Sequence, residues 1–139
     1  AFLGEKDRQQ LEVIRTLVQD LNLDITIVGK PIVRETDGLA MSSRNRYLSK
    51  SERGSARALS QALDLARNQI ERGERSAESI RKEIRRTIEK HKDAEVDYIS
   101  ICDPENFIEQ KEITSRALIA LAVRVGKTRL IDNCFVEGT

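Results

Sequence analysis

Between Glu5 and Val28 the sequence writes an amphipathic helix followed at once by a short apolar strand, a pair that cannot close a domain alone. Leu11, Ile14, Leu17, Val18 and Leu21 recur at helical spacing, which predicts a single apolar stripe on a helix of about residues 5–22. Asn22 and Asp24 mark its end, and Asp24 to Val28 reads as a largely buried strand. Helix then strand is half of an alternating α/β unit, and one strand has no sheet to join. The sequence also opens on Ala1 rather than Met and enters directly on a glycine-containing turn. Residues 1–30 are therefore expected to be the end of a larger α/β domain, cut from a longer parent. Without their neighbours, residues 5–28 are expected to be disordered or to pack against a second copy of the chain.

Periodicity then disappears from Gly29 to Asn45, where Gly29, Pro31, Asp37 and Gly38 punctuate a polar loop. Residues 31–38 read as an interdomain hinge, and residues 39–139 as a separate small domain. Ser49 stands three residues before Glu52, a capping box opening a long helix of about residues 50–71. Leu59, Ala62, Leu63, Ala66 and Ile70 make its inward face. A second helix runs from near Ser76, capped by Ser76 or Ser79, to about His91, with Ile80, Ile84 and Ile88 as its buried edge. Three strand-like runs follow: Val96 to Cys102, Ala117 to Val125, and Arg129 to Val136. Gly126-Lys127-Thr128 joins the last two as an antiparallel hairpin. Two main helices on a three-stranded antiparallel sheet make an α+β domain.

Composition narrows the function classes. Of 139 residues, 39% are apolar and 34% charged, the balance of a globular chain with helices on its surface. Basic and acidic residues number 24 and 23, interspersed, so no polyanionic partner is demanded and no nucleic-acid role is expected. No apolar run approaches the roughly 20 residues that span a bilayer, and no signal peptide is visible. Cys102 and Cys134 are too few for a disulfide framework and read as buried free thiols of a reducing, cytoplasmic compartment.

Two segments carry chemistry. In Gly4-Glu5-Lys6-Asp7-Arg8-Gln9-Gln10 the glycine permits a tight turn into a helix whose free N–H groups and positive end suit an anion. Lys6 adds a mobile charge for a phosphate, Asp7 can accept from a ribose hydroxyl, and Gln10 lies one turn on. The same residues would also make an ordinary capped helix start with solvated charges. In Asp37-Gly38-Leu39-Ala40-Met41-Ser42-Ser43-Arg44-Asn45, two hydroxyls and a guanidinium gather on one loop. Arg44 can grip a phosphate bidentately, Ser42 and Ser43 can donate to its other oxygens, and Met41 can lie against a flat base. A plain polar loop before a helix would use the same serines for turn chemistry.

Together, and in this order, the two segments resemble the pantothenate synthetase family. The likeness rests on Gly4-x-Lys6-Asp7-x-Gln9-Gln10 and, about thirty residues on, the Pro31-x-Val33-Arg34-x-x-Asp37 run that leads into Gly38 to Asn45. The closing Ser115-Arg116-Ala117…Ala122…Gly126…Arg129-Leu130-Ile131-Asp132-Asn133 completes it, so the resemblance spans essentially the whole chain. It implies a Rossmann-like nucleotidyltransferase parent with a smaller C-terminal lid, related to class I aminoacyl-tRNA synthetases. It further implies condensation of pantoate with β-alanine using ATP and Mg²⁺, through a pantoyl-adenylate. Residue by residue, the resemblance implies that Lys6 meets ATP phosphates and that Gly4 and Asp7 lie at the ribose. Val33 and Met41 would flank adenine, Ser42, Ser43 and Arg44 would hold phosphates, and Gln10 would bind pantoate. Lys6, Ser42, Ser43 and Arg44 are the catalytic group in this scheme.

The family's His-x-Gly-His segment, second pantoate glutamine and metal-binding aspartate have no counterpart here and are expected ahead of Ala1. No metal ligand is assigned within this chain, which is expected to be inactive alone. The parent is expected to be a homodimer. A competing expectation is a small α+β protein-interaction module whose Ser42-Ser43-Arg44 loop is incidental polar surface. His91 and the cationic stretch from Arg81 to Lys92 read as solvated helix surface.

Overall fold

The computed structural model describes residues 1–138. Its centre is a three-stranded antiparallel sheet of β3 (Ala94–Cys102), β4 (Arg116–Val125) and β5 (Thr128–Glu137), in the order β3-β4-β5. The β4–β5 hairpin closes with Val125 opposite Thr128, and Gly126 in the turn adopts φ 58°. That positive φ favours glycine; the nearest atoms to a Cβ there, 2.8 Å away, belong to the flexible end of Glu52, which can move aside.

One face of the sheet carries three helices: α2 (Lys50–Ala56), α3 (Ala58–Glu71) and α4 (Ala77–Glu89). The inward residues expected from periodicity, Leu59, Ala62, Leu63, Ala66 and Ile70, are all buried, as are Ile80, Ile84 and Ile88. They pack on Ile99, Ile101, Ile119, Leu121, Val123, Leu130 and Val136 in one apolar cluster. Fully burying each large side chain contributes about 1.5–3 kcal/mol, which makes this cluster the main source of stability. Ser49 accepts from the Glu52 N–H, and Ser76, not Ser79, caps α4 by accepting from the Ser79 N–H. The expected single helix over 50–71 is broken at Arg57 into α2 and α3.

The N-terminal segment differs most from expectation. The helix α1 covers Arg8–Asp20, and the strand falls at Val28–Lys30 (β2), not Asp24–Val28. Phe2–Gly4 forms a strand β1 that pairs with β2 in parallel, Leu3 opposite Gly29. The segment is thus a complete βαβ unit, and its strand does have a partner. A three-residue strand is too short to show a period, which is why the sequence pattern hides it. β2 is short because a strand exists only where a neighbour offers pairing. Within residues 5–28 Leu11 is buried, while Val13, Leu17, Leu21, Leu23 and Ile25 are exposed. Of the predicted stripe, Leu17 and Leu21 are exposed, Ile14 and Val18 half-buried and Leu11 buried.

Several residues of the expected hinge, 31–38, make contacts with the α+β body. Arg34 donates to Asp132 through both terminal nitrogens, at 2.8 and 2.9 Å, and Asn45 donates to Glu35 at 2.7 Å. Arg53 binds the carboxylates of Glu35 and Asp37, and Leu39 and Ala40 are buried. Residues 34–40 are thus tied to the α+β body, and Val33 is tied to Met41 by a backbone hydrogen bond.

Candidate functional site

The βαβ unit lies against the sheet face opposite α2–α4. Along β5, Arg129, Ile131, Asn133 and Phe135 alternate onto that face. Asn133, on β5, donates from Nδ2 to the carbonyls of Glu5 (2.9 Å) and Lys6 (2.8 Å), and the Arg8 guanidinium stacks over the Phe135 ring at 4.6 Å. These contacts carry the β1–α1 turn onto β5.

The Ser42 segment arrives from the other side. Residues Ser43–Tyr47 fold as a 3-10 turn instead of irregular loop, and Ser42 caps it by accepting from the Arg44 N–H at 3.2 Å. Arg44 donates to the Arg129 carbonyl at 3.3 Å, and Lys6 donates from Nζ to the Met41 carbonyl at 3.3 Å. The two segments singled out in the sequence therefore meet directly.

Between them lies a cleft of about 400 Å³ lined by Gly4, Lys6, Asp7, Gln10, Ser42, Arg44 and the β5 residues 129–131. Six of the nine candidate residues share this space. Val33 and Met41 lie just outside it, both exposed and joined by a hydrogen bond from the Met41 N–H to the Val33 carbonyl at 2.8 Å. Ser43 is exposed and does not line the cleft. At three residues per turn, it projects about 120° away from Arg44. Two reasons offered from sequence also change. Gly4 has no positive φ, so the turn does not require it; a Cβ there would meet nothing within 4 Å and would simply narrow the cleft. Asp7 caps α1 by accepting from the Gln10 N–H at 3.2 Å, which commits one of its carboxylate oxygens to the helix.

The cleft is cationic, with Lys6, Arg44 and Arg129 on its walls. Burial pushes the Lys6 ammonium below its ordinary pKa; Asp132 opposes that shift, while Arg44 and Arg34 add to it. Such a lysine gains when an anion enters. The donor set of Lys6, Arg44 and Arg129 fits a polyphosphate; among the described residues no group of three or more His, Cys, Asp or Glu gathers to hold a metal ion. Arg129, Asp132 and Asn133 were not singled out as site residues from the sequence. Their signal was the unusual Arg-Asp-Asn polarity within an otherwise apolar strand. Cys102 and Cys134 are free and buried.

A small α+β body with a cationic cleft against a βαβ turn is consistent with the C-terminal domain of a nucleotidyltransferase. The sequence model of the pantoate-beta-alanine ligase family matches residues 1–135, and the chain belongs to that family. Pantothenate synthetase of Heliobacterium modesticaldum is 55% identical over 99% of this chain and 49% of its own length. That of Caldicellulosiruptor saccharolyticus is 53% identical over 99% and 49%. The crystal structure of pantothenate synthetase from Thermus thermophilus superposes with a TM-score of 0.90 at 39% identity, covering 96% of this chain and 48% of that one. The Francisella tularensis pantoate-beta-alanine ligase, solved in complex with beta-gamma ATP and beta-alanine, gives 0.62 at 32% identity over 96% and 42%. The chain thus spans about half the length of the relatives it matches.

Proposed function

We propose that this chain forms the C-terminal part of an ATP-dependent ligase that joins pantoate to β-alanine, in the cytoplasm, and that the cleft grips the nucleotide's phosphates. One observation carries the reading: Lys6, Ser42 and Arg44, from segments far apart in sequence, converge on one cleft of phosphate-binding chemistry. The two parts would be residues 1–30, the end of a Rossmann-like nucleotide-binding domain, and a lid from about residue 34 onward, joined by the short link between.

The chemistry asks little covalent help of the protein. The pantoate carboxylate attacks the α-phosphorus and pyrophosphate leaves, giving the acyl-adenylate; the β-alanine amine then attacks the acyl carbon and AMP leaves. Catalysis is alignment together with stabilisation of charge that moves onto the phosphate oxygens. Lys6 and Arg44 stabilise that charge, and Arg129 adds a third cation. Ser42 has its oxygen engaged as a cap acceptor, which leaves its hydroxyl proton free for a phosphate oxygen. Gln10, one turn into α1, is placed to bind pantoate, and Asp7 retains one carboxylate oxygen for a ribose hydroxyl. Val33 and Met41 offer two adjacent exposed apolar surfaces for adenine. Ser43 could donate only after a rotation of its turn. Mg²⁺, when bound with the nucleotide, would supply further charge neutralisation.

The chain spans about half the length of its relatives, and its 139 residues alone are expected to bind phosphates without making pantothenate. The exposed face of α1 is the surface through which it meets the rest of the protein or a second copy. Titration of the chain with pyrophosphate and with ATP, followed by amide NMR shifts, tests the reading. Shifts should cluster at Gly4 to Gln10 and Met41 to Arg44, and Arg44→Ala should weaken binding at least tenfold. Equal binding by both proteins would leave only the protein-interaction alternative.

A further inference from the structure

The β5 residue Asn133 is 5% exposed and lies far from the phosphate turn in sequence, yet both hydrogens of its amide go to that turn. The orientation of the side chain is fixed by chemistry. Reversed, its oxygen would face the carbonyl oxygens of Glu5 and Lys6, and two hydrogen bonds would become two repulsions. Peptide planarity then orients the turn itself: with the Glu5 and Lys6 carbonyls facing Asn133, the N–H groups of Lys6 and Asp7 must face away from it. Neither N–H has a hydrogen-bond partner among the described residues. Two backbone donors on cleft-lining residues are thus left without a partner in the protein.

The neighbouring residue completes the arrangement. Asp132 is 2% exposed, accepts both bonds from Arg34, and its carboxylate also accepts from the Asn133 N–H at 2.8 Å. Arg34 stands in the segment that leads to Ser42. One dipeptide of β5 therefore grips the Lys6 turn with Asn133 and the Ser42 segment with Asp132.

We propose that Asn133 is a positioning residue for the ligase reaction, locking the Lys6 turn so that its backbone donors and ammonium face the nucleotide phosphates, while Asp132 through Arg34 holds the opposite wall in register. The proposal rests on the ligase reading above and adds a residue that touches no substrate. Its effect must fall on the nucleotide: a turn free to flip its peptides loses two donors and displaces Lys6, and misplacement by about 1 Å costs on the order of a hundredfold.

Asn133→Asp tests it, since the side chain keeps its size while losing both donors. In the complete gene product that contains this chain, kcat/KM for ATP in pantoate-dependent pyrophosphate exchange should fall at least tenfold. KM for β-alanine should stay within twofold, a split that general loosening would not produce. If Asn133→Asp does not fold, Asn133→Ser against Asn133→Ala decides: the serine hydroxyl restores one donor and should recover at least threefold in kcat/KM for ATP. Wild-type exchange with unchanged ATP kinetics in Asn133→Asp, equal losses for both substrates, or no difference between Ser and Ala would overturn the positioning role alone. No exchange by the wild type would overturn the ligase reading, and this role with it.

Discussion

Replacing Arg34 by Met keeps most of the side chain's volume and removes its charge, leaving a carboxylate that is 2% exposed facing the vacated site. Breaking a fully buried ion pair from one side costs about 3–5 kcal/mol. Arg34 itself is 34% exposed, so water already screens part of the interaction and the figure must be reduced. Asp132 also keeps the Asn133 N–H and the nearby Lys6 charge. Against that, the substitution also loses the bond from Arg34 to the Gly38 carbonyl, at 3.1 Å. The balance is about 2–3 kcal/mol, which for a chain of this size lowers Tm by roughly 6–12 °C. Asp132→Asn should cost less, about 1–2 kcal/mol, because the partner it strands can reach solvent. Urea unfolding of both variants and of Arg34→Met/Asp132→Asn measures the coupling directly. An Arg34→Met cost under about 0.5 kcal/mol, or a larger cost for Asp132→Asn, would refute the assignment of a buried anchor to this pair.

Two further outcomes follow from titrating groups. Lys6 has a folded pKa below its ordinary 10.5, so between the two values the unfolded chain binds more protons, and its cost to stability is relieved as pH rises. An anion in the cleft favours the charged form, so pyrophosphate affinity should decline as pH rises through the lowered value. Calorimetric titration should show that decline, and Lys6→Met should remove it. Cys134 behaves oppositely: burial pushes its thiol up to about 11 from 9.0. The folded state then holds the proton longer, so stability is full below the unfolded value and is lost as pH rises towards the folded one, by about 2 kcal/mol. Comparing unfolding of wild type and Cys134→Ala at about pH 8 and about pH 11 should show the wild type's advantage shrinking by that amount; a constant difference would contradict it.

The helical face of the molecule was legible because its signals are long and redundant. Ile80, Ile84 and Ile88 repeat once per turn, and Ser76 and Ser49 cap as their positions indicate. The β4–β5 hairpin followed from Gly126. What escaped was everything set by tertiary pairing. β1 is three residues long, and its existence depends on Val28–Lys30 lying beside it. The Arg57 break and the tether of Arg34 to Asp132 depend on packing between segments. For the site, residue types sufficed to nominate Lys6, Ser42 and Arg44. Arg129, Asp132 and Asn133 were hidden within a strand that looked like core. The reason assigned to Gly4, a tight turn, was replaced by open space.

One sequence feature, the continuous apolar run in β4, bears on more than folding. Ala117, Ile119, Leu121 and Val123 face α3 and α4, while Leu118 and Ala122, on the other face, are also buried. A solvated second face would have alternated with polar residues, so the run demands a second cover. Among the described residues that cover is the βαβ unit, whose residues 6–9 lie over Leu118, Ala120 and Ile131. The segment that carries Lys6 is thus also the segment that keeps water from the sheet. Site assembly on this side is a consequence of core formation, and changes to the Lys6 turn should disturb stability and binding together. Arg44 is different. It stands exposed on a capped turn, bound to the sheet through a single carbonyl contact, so its removal should weaken phosphate binding while leaving the fold intact.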